Sequence, residues 1–436
     1  MRQKRRKIAF HWQILLGMVF GVIFGMLAIH WHWLRFTDFY IKPWGIIFIN
    51  LLKLIAVPLI IVSLISGVSN LTDISKLSRI GLKTLGFYIL TTVIAITVGL
   101  IIVNITNPGK VFPEEKAAEF KQKFSENTEA KKTEAVALKS TSPLQPLVDI
   151  VPSNIFKSLT DNTKMLQVIF FSILFGVAMI FVPEEKIKPV KALINGLNDV
   201  VLKIIDIIMK TAPYGVFALI AALMVDVAGS HPKNTLSLFA ALGLYAFSVV
   251  IGLLILIFII YPVFLKLFTK VKYTKFMKAI YPVQLLAFST SSSAATLPFT
   301  METAEDKLGI SNDTASFVLP LGATINMDGT SLYQAVAAVF LAQVYGMHLG
   351  LAQQLTIIVT ATLASIGSAA VPGAGIVMLV IVLTAVGIPT EGIALIFAVD
   401  RPLDMLRTAV NVTGDTTIAG IIASGEDEID LAVANG

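Results

Sequence analysis

The stretch AVDRPLDMLRTAVNVTGDTTIAG, Ala398 to Gly420, decides how the rest of the chain is read. It is apolar enough to cross a membrane, yet Asp400, Asp404, Arg407, Thr408, Asn411 and Asp415 recur along it at helical spacing. At about 100° per residue these six side chains fall within an arc of roughly 100° on one side of a helix. A charge at the centre of a bilayer costs about 2.5–3.5 kcal/mol even on a lenient insertion scale, so the stripe must face a partner, a cavity or a ligand.

The surrounding composition places this helix in a membrane. Of 436 residues, 56% are hydrophobic and only 14% charged, and the mean hydropathy is +0.80, far from the mix of a soluble domain. The expected fold is an all-α polytopic membrane protein. Cysteine is absent, which excludes disulfides and cysteine-held metals. The net charge of +6 comes from short basic clusters beside apolar runs, a pattern that reports orientation and gives no footprint for nucleic acid.

Walking upstream, residues 1–7 form a basic tail (Arg2, Lys4, Arg5, Arg6, Lys7), expected in the cytoplasm. Residues 8–70 hold the first two spans. Gly17, Gly21 and Gly25 in the first suit a packed helix face better than a cleavage site. A basic loop with Lys76, Arg79 and Lys83 leads to a third span within 79–107. The segment 108–146 balances Lys against Glu with almost no aromatics, as an external polar loop does. Spans four and five occupy 147–228, the latter from about Val201 to Ala228, and a sixth occupies 234–268. Lys266, Lys270, Lys272, Lys275 and Lys278 then mark a cytoplasmic loop. His11, His30 and His32 flank the first span as interfacial residues.

The C-terminal third breaks the pattern. Residues 279–306 contain Ser289, Thr290, Ser291, Ser292, Ser293 and Pro298 where a lipid-facing helix would be apolar, which predicts a re-entrant hairpin buried in protein. A seventh span, 310–346, contains LGATINMDGT from Leu321 to Thr330. A second hairpin is expected over 352–387, centred on Ser365, Gly367, Ser368, Pro372, Gly373 and Gly375. The last helix lies within 389–420, and the acidic tail 421–436 returns to the cytoplasm. SAATLP at Ser293 and SAAVP at Ser368, followed by NMDGT at Asn326 and NVTGD at Asn411, form a weak internal repeat. With one hairpin entering from each side the repeats are inverted, each a hairpin plus a broken helix, which points to a transporter's midplane site.

Residue chemistry suggests what that site holds. Backbone carbonyls unwound at Asn326 to Gly329, the carboxylates of Asp328 and Asp415, and the amides of Asn326 and Asn411 are hard oxygen donors for hard cations. Asp328, Asp400, Asp404 and Asp415 against Arg401 and Arg407 leave two negative charges for bound cations to relieve. Arg407 offers a planar fork for a carboxylate. Asp404 can accept from an ammonium, and the hairpins' helix N-termini favour a second carboxylate. Two carboxylates and one amine describe an acidic amino acid. Asp400 is expected to pair with Arg401 or with a lysine elsewhere.

TSSSAATLP (Thr290 to Pro298), LGATINMDGT, ASIGSAAVPGAG (Ala364 to Gly375) and DMLRTAVNVTGD (Asp404 to Asp415), in this order, resemble the glutamate transporter homologue family, the dicarboxylate/amino acid:cation symporters, in its acidic amino acid branch. The resemblance covers the chain after its N-terminal tail. It implies eight transmembrane helices plus two hairpins and a homotrimer in the cell membrane. Spans one, two, four and five would form a scaffold, and the remaining elements a transport domain that moves as an elevator. It implies substrate contacts from the backbone of Ser291, Ser293, Val371 and Gly375, from Met327, and from the side chains of Thr330, Asp404, Arg407, Thr408 and Asn411. One sodium ion would meet Gly322, Asn326, Asn411 and Asp415. A second would lie among Thr324, Met327, Ser365, Ile366 and Ser368, and a third would use Tyr88, Thr91, Thr92, Asn326 and Asp328. The implied cargo is L-aspartate or L-glutamate with Na+.

The sequence departs from some members in having Ser291 where they carry an arginine; Arg401 is expected to take over that electrostatic role. A proton-coupled glutamate or C4-dicarboxylate carrier is the runner-up. A membrane hydrolase lacks its GxSxG elbow and a histidine base nearby, and an anion channel would conduct without accumulating substrate.

Overall fold

The structure, a computed structural model, describes residues 10–69, 80–112, 151–160, 164–228, 232–366, 368, 370 and 372–435. The expected basic tail, Lys76, Arg79, nearly all of the polar loop and Val371 lie outside the described residues. Among the described residues the chain is helical without strands; Ile310 and Ile429 form an isolated bridge.

The first helices pack through small residues. In α1 (Phe10–His30) the three glycines lie on one face against α6 (Ala212–Ala228). A Cβ at Gly17 would stand 2.4 Å from the Pro213 carbonyl oxygen and one at Gly21 2.8 Å from that of Phe217, while at Gly25 it would stand 2.4 Å from Met224 Cβ. No side chain fits there, which is how small residues let backbones meet without a hydrophobic drive between helices. α2 (Lys42–Ser69) carries Pro58, and α3 (Leu82–Thr106) ends where Asn107 turns left-handed at φ 45°, a conformation asparagine tolerates.

The fifth span differs from its expectation. α4 (Met165–Phe181) is followed by α5 (Glu184–Lys210) and α6, which meet at a bend of 50°. Thr211 closes α5 by donating its amide to Ile208, and Pro213 has no amide to continue the ladder. The segment read as one span from Val201 to Ala228 is therefore two helices. α7 (Pro232–Ile255) continues through a wide turn at Leu256–Ile260 into α8 (Tyr261–Phe268).

The C-terminal third supplies the polar centre. α9 (Tyr273–Thr290) and α10 (Ser293–Leu308) form a turned-back pair whose tip is Ser291–Ser292; α13 (Leu351–Ile366) and α14 (Ala374–Ala385) form another. Between them α11 (Asn312–Ile325) and α12 (Asp328–Val344) are separated by Asn326 and Met327, at ψ 89° and 59°. The last helix, α15, runs unbroken from Ile393 to Gly425. Two expectations change here. The unwound backbone covers Asn326 and Met327 only, because Asp328 already heads α12 as an acidic first residue favoured by the helix dipole. NVTGD is not a break at all. Thr413 within it, like Thr416 and Thr417 just beyond, bonds the carbonyl four residues back in an intact helix, and Gly414 is small because a Cβ would stand 2.7 Å from the Tyr261 hydroxyl.

Candidate functional site

α15 crosses the interior with its polar face entirely covered: Asp400, Arg401, Asp404, Arg407, Thr408, Asn411 and Asp415 are all buried. Arg407, 1% exposed, is the hub. Its Nη1 donates to Asp400 Oδ1 at 2.9 Å and its Nε to Asp404 Oδ1 at 3.1 Å. Nη2 stands 2.8 Å from the same Asp404 oxygen but makes no well-directed hydrogen bond. The guanidinium also lies over the Tyr333 ring, 4.0 Å from its centroid, a favourable cation–π geometry worth about 2 kcal/mol when desolvated. Asp400 thus pairs with Arg407, correcting the expectation of Arg401. Arg401 instead donates to Asp404 Oδ2 at 2.9 Å, because Asp404 lies one turn on along the same face.

The second helix pair closes over this cluster. Gly373, left-handed at φ +81°, donates its amide to Asp404 Oδ2 at 3.2 Å. A Cβ on Gly375 would stand 3.0 Å from Arg407 Nη2, so only glycine brings this backbone against the guanidinium. The Gly375 carbonyl accepts from Gln334 at 3.3 Å. The tips of the two pairs touch: Ser292 Oγ donates to the Ala370 carbonyl at 2.7 Å while also capping α10 at Ala295. Ser291, left-handed at φ 51°, and Ser293 are buried beside that contact, and the Ser291 hydroxyl has no protein partner.

Below the arginine lies a second polar cluster. Asp328 accepts from Thr92 at 2.9 Å, Thr91 at 3.3 Å and Tyr261 at 3.0 Å. Asn326 donates to Asp415 Oδ1 at 2.9 Å and receives the Thr91 hydroxyl at 3.3 Å. Asn411 accepts the Gly329 amide at 2.8 Å, capping an orphan donor of α12, and donates to Thr330 at 3.2 Å. Gly322 is pinned between Tyr88 and Asp415, where a Cβ would be 2.6 Å from the hydroxyl and 2.7 Å from the carboxylate. Tyr88 itself donates to the Val318 carbonyl at 2.8 Å.

The residues singled out from the sequence are therefore mostly brought together. Asp404 and Gly375 meet the Arg407 guanidinium, with Thr330 against Gly375 and Asn411 bonded to Thr330, and Tyr88, Thr91, Thr92, Gly322 and Asn326 gather around the carboxylates of Asp328 and Asp415. The Thr408 hydroxyl donates to the Asp404 carbonyl at 2.7 Å. The set around the second helix pair is looser. Ser365 donates to the Ile325 and Thr362 carbonyls, the buried Ser368 hydroxyl lacks a protein partner, Met327 is buried, and Ile366 is partly covered. Thr324 is exposed, its hydroxyl turned to the Leu321 carbonyl. Sequence reasoning missed Tyr333, Tyr261, Gln334 and the Gly373 amide as parts of the site. Tyr333 lies one turn beyond Thr330 on the same helix and could have been found by spacing; Tyr261 comes from a distant helix and carried no local signal.

Charge sorts the two clusters. Asp400, Asp404, Arg401 and Arg407 balance one another, whereas among the described residues neither Asp328 nor Asp415 meets a lysine or arginine. Buried carboxylates are costly unless paired. Asp328 is ringed by hydroxyl oxygens and Asp415 meets the Asn326 amide nitrogen; the hydroxyl and carboxylate oxygens present are of the hard type that fits a small cation.

A buried charged centre beside two touching helix tips is where a membrane transporter holds its solute, and the chain's relatives place it in that class. The sequence pattern of the sodium:dicarboxylate symporter family matches residues 10–424, and the chain belongs to that family. It is 35% identical over 431 residues to the proton/sodium-glutamate symport protein of Bacillus subtilis (strain 168), covering 99% of this chain and 96% of that one. It is 35% identical to the proton/glutamate-aspartate symporter of Escherichia coli (strain K12), covering 98% and 95%. It is 37% identical to excitatory amino acid transporter 2 of Mus musculus, covering 87% and 72%.

Proposed function

We propose that the protein is a sodium-coupled symporter that imports the acidic amino acids L-aspartate and L-glutamate. The observation that carries this is the pairing of a charge-neutral cluster around Arg407 with two carboxylates that meet no lysine or arginine among the described residues. Sodium ions at Asp328 and Asp415 supply the missing charge, with Tyr88, Thr91, Thr92, Gly322, Asn326 and Asn411 as further oxygen donors. A third ion, against Met327, Thr324, Ser365, Ile366 and Ser368, rests on the sequence resemblance, with the unpartnered Ser368 hydroxyl in its favour.

The substrate's side-chain carboxylate takes the ill-directed Nη2 of Arg407, and its amine takes Asp404. A carboxylate accepts at about four lone-pair sites. Asp404 already accepts from Arg407 Nε, Arg401 and the Gly373 amide. An incoming ammonium takes the remaining site or displaces the Gly373 amide, which at 3.2 Å is the longest of the three. The α-carboxylate meets the Ser293 amide beside the Ser291 hydroxyl, the Ser291 amide being taken by the Ala287 carbonyl; Val371 joins them on the sequence resemblance, and Thr408 and Asn411 complete the pocket.

An elevator motion and a homotrimer belong to this reading. Support for self-association comes from α5, where the exposed Leu193, Leu197, Val200, Ile204 and Ile207 recur at alternating spacings of four and three. That period is a coiled-coil seam, on a helix also carrying Lys186, Lys188, Lys191, Asp199, Lys203 and Asp206. The names of the relatives favour glutamate but include proton coupling. Uptake of radiolabelled L-aspartate and L-glutamate into proteoliposomes, with an imposed sodium or proton gradient, tests the proposal. Accumulation with sodium alone is the expected result; accumulation with protons alone overturns the ion assignment and makes Asp328 and Asp415 proton carriers.

A further inference from the structure

The last ten described residues make contacts that the transport site does not use. Beyond α15, Asp427 turns left-handed at φ 57° and the Glu428 amide returns to the Ala423 carbonyl at 2.8 Å, reversing the chain. The reversed segment lies along the junction between α10 and α11. The Ser311 amide donates to the Glu428 carbonyl at 2.9 Å and the Asp430 amide to the Gly309 carbonyl at 2.7 Å, forming the isolated bridge of Ile310 with Ile429. The Glu428 carboxylate accepts both the Ser311 hydroxyl at 2.7 Å and the Thr314 hydroxyl at 2.5 Å, at the N-terminus of α11, where negative charge is favoured.

Two further fastenings hold the same segment. Glu426 pairs with Lys83 at the start of α3 at 2.5 Å. Asn435 accepts the Lys272 amide at 2.8 Å and donates to the Lys270 carbonyl at 3.2 Å, on the link between α8 and α9. Ala434, 3% exposed, packs in the cluster with Leu308, Val271 and Phe276. Every anchor lies at one end of the molecule and beside the base of the first helix pair; the base of the second pair has no such strap among the described residues.

We infer that residues 426–435 are a clasp that ties the base of the first helix pair to α3, α8, α11 and α15, so that α9 and α10 move with those helices as one body and cannot swing open alone. The Gly309 backbone shows how close the fit is: a Cβ there would stand 2.5 Å from the Asp430 carbonyl oxygen. Local opening draws on regions with few such ties, and the clasp moves the first pair out of that class while leaving the second in it.

Amide hydrogen exchange on the reconstituted full-length protein, compared with a chain ending at Gly425 and with Glu428→Ala, tests this without reference to the transported solute. Exchange across Ser293–Leu308 is expected to rise by about tenfold in the shortened chain and about threefold in Glu428→Ala, with Ala374–Ala385 unchanged. Unchanged exchange in 293–308 in both variants overturns the clasp. An equal rise in both helix pairs overturns it too, since that is general loosening; the point variant decides the matter if the shortened chain does not fold.

Discussion

The two helix pairs and the helices that follow them share sequence and differ in build. SAATLP opens α10 and SAAVP lies at the tip of the second pair; NMDGT follows the first and NVTGD the second. Yet the first pair leads to a helix broken at Asn326 and Met327, whereas the second leads to α15, intact for 33 residues. The break turns backbone and helix ends toward the carboxylate cluster. The unbroken helix instead presents a stripe of side chains, and all the arginine chemistry sits there. Similar motifs thus supply different mixtures of donor: the broken helix brings the Asn326 and Asp328 side chains with the Gly329 amide, and the second repeat brings the α15 side chains with the Gly373 amide and the Gly375 carbonyl.

Substitutions on each side sharpen this division. The largest effect is expected for Arg407→Ala, which leaves Asp400 and Asp404 buried together without their common partner. Breaking a buried pair from one side costs about 3–5 kcal/mol, so both thermal stability in detergent and substrate uptake should fall, uptake by more than about a hundredfold. On the side of the broken helix, Asp328→Asn keeps the shape but removes a charge. It should leave the fold in place and raise the sodium concentration for half-maximal uptake by about tenfold, near 1.4 kcal/mol, read from a sodium titration. Equal sensitivity of the two variants to sodium would erase the proposed separation between the clusters.

Glycines give a finer test of the same contrast. A Cβ at Gly329 would stand 2.6 Å from the Arg407 carbonyl oxygen, which is backbone, while one at Gly414 meets the Tyr261 hydroxyl, the end of a side chain. Overpacking costs about 1–3 kcal/mol, and Gly329→Ala should fall near the top of that range and Gly414→Ala near the bottom in melting experiments. An effect between those two is expected at the tips. Ser292→Ala removes the bond to Ala370 and the cap of α10, each worth about 1 kcal/mol, and should loosen the contact between the pairs in hydrogen exchange while Arg407-dependent binding persists.

Much of this was legible because period carries burial. The stripe on α15 follows from spacing alone, and the residues it named do converge on one buried face. The Gly17, Gly21 and Gly25 face was legible for the same reason. What spacing did not carry was partner choice: Asp400 lies next to Arg401 in sequence but reaches Arg407 two turns away, because neighbours on a helix diverge by about 100°. Nor did the second NxxG motif reveal that its glycine is there for close approach to Tyr261 and Asp328 and not for a turn. The bend at Thr211 was hidden because apolar segments on both sides of Lys210 and Thr211 read together as one span, although Pro213 was a signal for the break.

The three hydroxyls around Asp328 differ from the amides elsewhere in the site in one respect. Thr91, Thr92 and Tyr261 each carry a proton on a freely turning C–O bond. In the geometry described they lie at hydrogen-bond distance from the carboxylate; were a cation bound there as proposed, a torsional flip would let the same oxygens present lone pairs to it. Occupancy at Asp328 would then be written in proton positions, and the carboxylate stretching bands in an infrared difference spectrum would register it while the backbone stays still.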